Sequence, residues 1–362
     1  MHNRRKLLGF PIVILCLGPV TVSLGVFREG QVPVQTNALI DTANIQNEPY
    51  SSLQSPLNIQ SLTSDADLIV IGQVNSIDTK GPAPGTVEGH KADAQRIIAS
   101  LKVHKVIKGQ VETEKVAFEF LEPVNPSADL KIELSQIAMF FLKRSPESGY
   151  TVSDPIYPFI RAFSSATVTD TNPLDRVVGV IGHVLVSSPS VEDRRLAVKV
   201  LSSAGTGPAI RLLRQAMRDK DAVIQMQALS ALLNAGDIAS LDIAEHTLLN
   251  PLDKEQYLVE NLGAALEGIK DPLAIPTLQR LLQAPSSLTR LGAASALRNM
   301  RVSDGVEGLI IALYDENRKV RYQAVIGLAE FTGQDQWGPS VHRFRSDEQA
   351  YLDYWKGWAR SR

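Results

Sequence analysis

The chain has 362 residues, 44% of them hydrophobic and 21% charged, with a formal net charge of −2. That length suits two domains of ordinary globular composition plus extensions. The balanced charge leaves no basic field for nucleic acid. The single cysteine, Cys16, excludes internal disulfides, cysteine-built zinc sites and a cysteine nucleophile in the body of the chain.

Arg4, Arg5 and Lys6 precede an uncharged apolar run from Leu7 to Phe27. A basic start, an apolar core and the small residues Ser23 and Gly25 predict a cleaved export signal over residues 1–27. The run is also long enough to cross a bilayer, so an uncleaved anchor that tethers the chain to a membrane stays open. Residues 28–60 are rich in Gln, Asn, Ser and Pro without sustained periodicity, and they predict a flexible tether.

Between about residues 61 and 165 the apolar pattern changes to short β-rich runs. They are 67–74 (DLIVIGQV), 101–107, 116–121 (VAFEFL), 137–142 (IAMFFL) and 150–152. Turn formers separate them at Gly81-Pro82-Ala83-Pro84-Gly85, Lys108-Gly109, Pro123 to Pro126 and Ser145-Pro146. Such punctuation predicts a small antiparallel β-barrel or sandwich. The order DLIVIGQV, KVHKVIKG, IAMFFLKR and a Tyr-Thr-Val strand resembles exported domains of the OB-like, netrin-like barrel type. Metalloproteinase inhibitors with that fold depend on an N-terminal cysteine and disulfides, which this chain lacks, so the resemblance implies a fold and not that activity. Residues 164–187 read as a join, with Asp170 or Asn172 capping a helix whose apolar residues run from Leu174 to Leu185.

From residue 170 to 335 the pattern becomes helical and repetitive. Leu201, Leu232, Leu266, Leu297 and Leu328 follow at steps of 31, 34, 31 and 31 residues, ending the phrases RRLAVKVL, QMQALSAL, LVENLGAAL, TRLGAASAL and RYQAVIGL. Four residues before each leucine stand Ala197, Ala228, Leu262, Ala293 and Ala324. Eleven before stand Ser190, Asp221, Glu255, Ser286 and Asn317, four of them N-cap formers, with Asp253 expected to cap the longer repeat. Arg194, Arg290 and Arg321 share the slot seven before the leucine, where pairing with acids or carbonyls of the adjacent repeat is expected. A fixed period of this kind predicts an α–α solenoid, whose units cannot bury a hydrophobic face alone. Cap, Arg, small residue and leucine together resemble HEAT repeats, closest to the short bacterial class also found in phycobilisome lyases. Residues 336–362 predict a capping helix that opens at Ser346 with Gln349 three residues on. Its Tyr351, Leu352, Trp355 and Trp358 share a face that either closes the last repeat or anchors a partner.

The chemistry-bearing residues do not assemble into a known motif. The six histidines show no HExxH or HxH spacing, and neither GxSxG nor a glycine-rich phosphate loop occurs. The expectation is a non-enzymatic chain without cofactor, metal or catalytic residues: an exported scaffold that binds a protein or peptide on the concave solenoid face. The sequence is silent on oligomeric state. Arg211, Arg214, Arg218 and Arg280, from the second helix of each repeat, are the inner-face candidates; Trp355 and Trp358 are the candidates at the C-terminal end. Alternatives are a β-domain that acts as an inhibitor or ligand-binding module on a repeat scaffold, an unrecognised enzyme, and an envelope spacer.

Overall fold

A computed structural model of the chain describes residues 57–87, 90–123, 131–146, 149–154, 157–166, 170–251 and 256–362. Residues 53–362 form one compact unit. The expected export segment 1–27, most of the expected tether and the expected cap Asp253 lie outside the described residues. The end of the tether is corrected: Leu57 and Ile59 are buried, and helix α1 (Ile59–Asp65) belongs to the fold. Asn58 caps it by accepting from the backbone N–H groups of Gln60 and Ser61. Lys108 donates to the carbonyls of Thr63 and Ser64 at its far end, where the helix leaves acceptors unpaired.

Six strands follow: β1 (Leu68–Val87), β2 (His90–Lys108), β3 (Lys115–Pro123), β4 (Ile137–Ser145), β5 (Gly149–Val152) and β6 (Phe159–Arg161). Five of them close a barrel in the order β1-β2-β3-β5-β4-β1; β3 meets β5 in parallel at Glu119 and Thr151, and the other pairings are antiparallel. β6 adds beside β4. The expected turn at Gly81–Gly85 is corrected, because these residues continue β1. Partner strand β4 leaves β1 at Gln73, so beyond it one edge of β1 is unpaired, and an edge tolerates Pro82 and Pro84, which lack an N–H. Gly81, at φ +115°, sits where the register shifts.

Strands β1 and β4 read as unbroken apolar runs because both of their faces are covered. Leu68, Val70, Val74, Phe140 and Leu142 point into the barrel with Leu101, Phe118 and Phe120. The alternate residues Ile69, Ile71, Met139 and Phe141 join Ile107, α1 and the first repeats in a second core. Barrel and solenoid therefore share buried apolar surface.

The helical part runs α2 (Pro173–Ser187), α3 (Val191–Ser202), α4 (Gly207–Ala216), α5 (Ala222–Asn234), α6 (Leu241–Leu249), α7 (Gln256–Ala265), α8 (Ile275–Leu281), α9 (Ser287–Met300), α10 (Val306–Ala312), α11 (Arg318–Thr332), α12 (Val341–Ser346) and α13 (Glu348–Ser361). Asn172 caps α2, while the Asp170 carbonyl accepts from Arg176 instead. Ser190, Asp221 and Asn317 make the expected cap bonds; Ser286 holds the cap backbone without one.

Helices α3, α5, α7, α9 and α11, which carry the repeated phrases, stack side by side as one layer; α4, α6, α8 and α10 form the other. The five register leucines are at most 1% exposed. Small residues bring the first layer close: a Cβ on Gly292 would lie 2.0 Å from the Gly263 carbonyl oxygen, and one on Gly263 would lie 2.6 Å from Thr289 Oγ1. The C-terminal cap differs from expectation. Ser346 ends α12, its hydroxyl bonded to the His342 carbonyl, and Gln349 reaches Asp353, so no capping box forms there. Ser340 caps α12 instead.

Candidate protein-binding surface

The recurring arginine slot is structural. Arg194 donates to the carbonyls of Ser188 (3.1 Å) and Pro189 (3.3 Å) and forks onto Asp219 at 2.8 and 3.1 Å. Arg290 repeats the arrangement with Ala284, Pro285 and Asp315, and adds Glu316 at 2.8 Å. Arg321 takes the carbonyls of Asp315 and Glu316 and pairs with Glu348. Hydrogen bonds to Asp219 and Asp315 raise the pKa of Arg194 and Arg290, which keeps both charged although buried. Where the slot holds Gln225, its amide still donates to the Asp219 carbonyl.

Arg211, Arg214, Arg218 and Arg280 lie on α4, on α8 and just after α4, in the second layer. The first layer has close backbone approaches at Gly263 and Gly292. These arginines thus lie in the layer opposite the one that carries the repeated phrases. Arg214 is held by Asp237 (2.5 and 3.2 Å) and Arg280 by Glu245 (2.5 and 3.0 Å), each joining one repeat to the next. Arg211 and Arg218 are exposed, and Arg218 borders a cleft of about 500 Å³ with Val186 and Lys220.

Trp355 is also corrected as an anchor. It is fully buried, its Nε1 donates to the Trp337 carbonyl at 3.0 Å, and its ring meets Tyr354 and Trp358 edge-on. It closes the last repeat, which removes it from any surface. Trp358 is half-buried, with the Arg362 guanidinium 5.7 Å from its ring.

A slot nine residues before each register leucine carries a different signal. It holds Glu192, Val223, Tyr257, Leu288 and Lys319 on five consecutive first-layer helices. Leu288 is 36% exposed, Tyr257 57%, and Val223 half-buried. One turn on, Met226 and Leu291 are half-buried beside them. The row is apolar in the middle and charged at both ends. The sequence reading missed it because its residues do not repeat; the signal was available as a slot that passes from charged to apolar and back to charged along the five phrases.

A second depression of about 390 Å³ lies where barrel and solenoid meet, lined by Ile137, Arg161, Phe163, Val184 and Asp193 among others. Arg161 and Asp193 face each other at 3.5 Å. Among the described residues no group of three or more His, Cys, Asp or Glu is placed to hold a metal, and no helix is long and apolar enough to cross a membrane.

Residues 252–329 match the family of HEAT repeats. That stretch takes in α7 to α10 and most of α11, and the register of the phrases it covers continues upstream to Ser190. Among solved structures, an engineered protein is 19% identical, covering 44% of this chain and 82% of its own, with a TM-score of 0.33. The Escherichia coli protein YibA is 23% identical over 44% of this chain and 66% of its own, with a TM-score of 0.31. A second engineered protein is 19% identical over 46% and 51%, also at 0.31. No curated protein matches the chain.

Proposed function

We propose that this chain is an exported, non-catalytic scaffold of the bacterial cell envelope that holds a protein partner on the inner face of its HEAT repeats. The observation that carries the reading is the Val223–Tyr257–Leu288 row on adjacent helices of one layer, with Tyr257 and Leu288 exposed and Val223 half-buried beside them. HEAT repeats in general present such extended surfaces to proteins. The basic and apolar start of the sequence supports export, as a signal peptide or a membrane anchor. The strand order 1-2-3-5-4-1 supports reading the barrel as OB-like, a second module fixed to the repeats by their common core.

Because the core is shared, isolated halves would expose apolar surface, and the test uses substitutions in the full chain. Wild-type chain and the exposed-site variants Tyr257→Ser and Leu288→Ser are immobilised and challenged with envelope extract. The expected result is one defined protein retained by wild type and lost from both variants. Retention unaffected by either substitution overturns the reading.

The cleft at the barrel–solenoid junction favours a second reading, in which the β-domain binds a ligand and the repeats serve as scaffold. In that case Phe163→Ser abolishes capture and Tyr257→Ser does not.

A further inference from the structure

The depression at the junction of barrel and repeats has a wall chemistry of its own. Its volume of about 390 Å³ lies at the low end of the range usual for small-molecule sites, about 300–1,000 Å³, so its occupant is small. The apolar part of the wall comes from both units. Ile137 opens β4, Phe163 follows β6, and Val184 lies buried on α2. At the rim Leu134 stands 62% exposed.

The turn that carries Leu134 is pinned in place. The Ser135 N–H donates to the Val74 carbonyl at 2.8 Å, and the Val74 N–H donates to the Gln136 carbonyl at 2.9 Å. The Gln136 side chain accepts from the Glu133 N–H at 2.9 Å. Ser135, which also lines the depression, is held at φ +66°, in the left-handed region that residues other than glycine rarely enter. Such strain persists where the surroundings over-determine it, and it concentrates at ligand sites.

The polar part of the wall is an ion pair that does not close. Arg161, at the end of β6, and Asp193, in the first turn of α3, stand 3.5 Å apart. A charge-assisted hydrogen bond would be about 2.7–2.9 Å. The Ser188 hydroxyl donates to Asp193 Oδ2 at 3.0 Å, but among the described residues Oδ1 accepts no hydrogen bond. The Arg161 guanidinium donates none there either. Two opposite charges thus keep bonding capacity open beside an apolar surface. The other charged lining residues, Lys131 and Glu133, cancel each other. A wall without net charge offers little to a phosphate, a dicarboxylate or a polyamine. A ligand with one charge of each sign on neighbouring atoms satisfies both members of the pair.

We infer that the junction depression binds a free α-amino acid with a large apolar side chain. Its carboxylate bonds to Arg161, its ammonium to Asp193 Oδ1, and its side chain packs on Ile137, Phe163 and Val184. In such a molecule one tetrahedral carbon holds the two charges side by side, as the wall holds their counter-charges. The inference rests on the ligand-binding reading of the junction and adds the class of ligand.

Isothermal titration calorimetry of the full chain tests it with four probes: L-leucine, N-acetyl-L-leucine, L-leucinamide and L-aspartate. Leucine is expected to bind about tenfold tighter than each of the others, since a site built around a polar group rejects analogues that lack its match. Arg161→Gln is expected to weaken leucine about tenfold and to leave leucinamide unchanged. Asp193→Asn is expected to weaken leucine about tenfold and to leave N-acetyl-leucine unchanged. A merely structural role would move each pair of probes together. Arg161 is half exposed and asparagine keeps an acceptor for Ser188, so both variants are expected to fold, which thermal melts check.

Equal binding of leucine and leucinamide overturns the inference, as does tighter binding of aspartate. An equal loss of leucine and leucinamide in Arg161→Gln overturns it too. So does the absence of binding by every probe. If Phe163→Ser still abolishes capture from envelope extract in that last case, the junction reading stands and only the ligand class is wrong.

Discussion

Arg290 and Asp315 form a forked ion pair, at 2.7 and 3.2 Å, between consecutive repeats, with side chains only 8% and 6% exposed. Asp315 also accepts from the Asn317 N–H at 2.7 Å, which orders the cap of the next first-layer helix. The pair thus links the turn before α9 to the start of α11. Removing one member leaves a buried charge unpaired, so Arg290→Ala is expected to cost about 3–5 kcal/mol. Arg290→Met combined with Asp315→Leu is expected to recover most of that loss. Urea unfolding of the two variants beside the wild type checks both statements, and a loss below about 1 kcal/mol for Arg290→Ala would refute the assignment.

Stability is expected to fall in acid through the same kind of link. The hydrogen bond from Arg195 holds the Asp221 carboxyl below its ordinary range, and the bond from Arg214 does the same for Asp237. A carboxyl with a depressed folded-state pKa contributes stability above its unfolded value, about 3.9. That contribution drains away as pH drops from there through the lower folded value. Urea midpoints between pH 6 and pH 2 are expected to be flat at first and to decline below about pH 4. In Asp237→Asn the decline should be shallower; an identical pH profile contradicts the role given to Asp237.

The close approach of α7 and α9 makes Gly292 intolerant of a side chain. A Cβ there would overlap the Gly263 carbonyl, so Gly292→Ala must push two helices apart. The expected cost is about 1–3 kcal/mol. Gly357, with open space around its Cα, is the control: alanine there is expected to be neutral or slightly stabilising, because glycine is a poor helix former. Thermal unfolding of the two variants separates them.

The two tryptophans of α13 are expected to behave differently. Trp355→Ala removes a fully buried ring from the end of the array and should cost about 3–5 kcal/mol. Trp358→Ala should cost well under half as much, its ring being half in solvent. Denaturant titration gives both values, and equal losses would mean that α13 seats differently.

Much of the solenoid was legible because its constraints are local and repeated. Each first-layer helix needs a cap at its start, a small residue at the contact and a leucine in the core, so Ser190, Ala197 and Leu201 recur as a set. The Arg194 and Arg290 bonds to neighbouring carbonyls and acids follow the expected pattern. The Gly81–Gly85 segment was misread because glycine and proline usually break strands; only the departure of β4 at Gln73 shows that this edge of β1 has no partner to lose. Ser346 was misread as a cap because its spacing to Gln349 fits the motif, whereas α12 already occupies that turn.

The sequence by itself determined the repeat, its register, the existence of a β-rich unit before it, and the absence of any recognisable catalytic motif. Those are short-range matters of periodicity and residue chemistry, readable along one dimension. The tertiary structure alone decided that barrel and solenoid share a core through Ile71, Phe141 and α1, and that Trp355 is sealed in. It also decided that Tyr257 and Leu288 are exposed on neighbouring helices, with Val223 half-buried in the same slot. Each of these depends on contacts between residues far apart in the chain, and no local spacing encodes which of two apolar faces finds a partner.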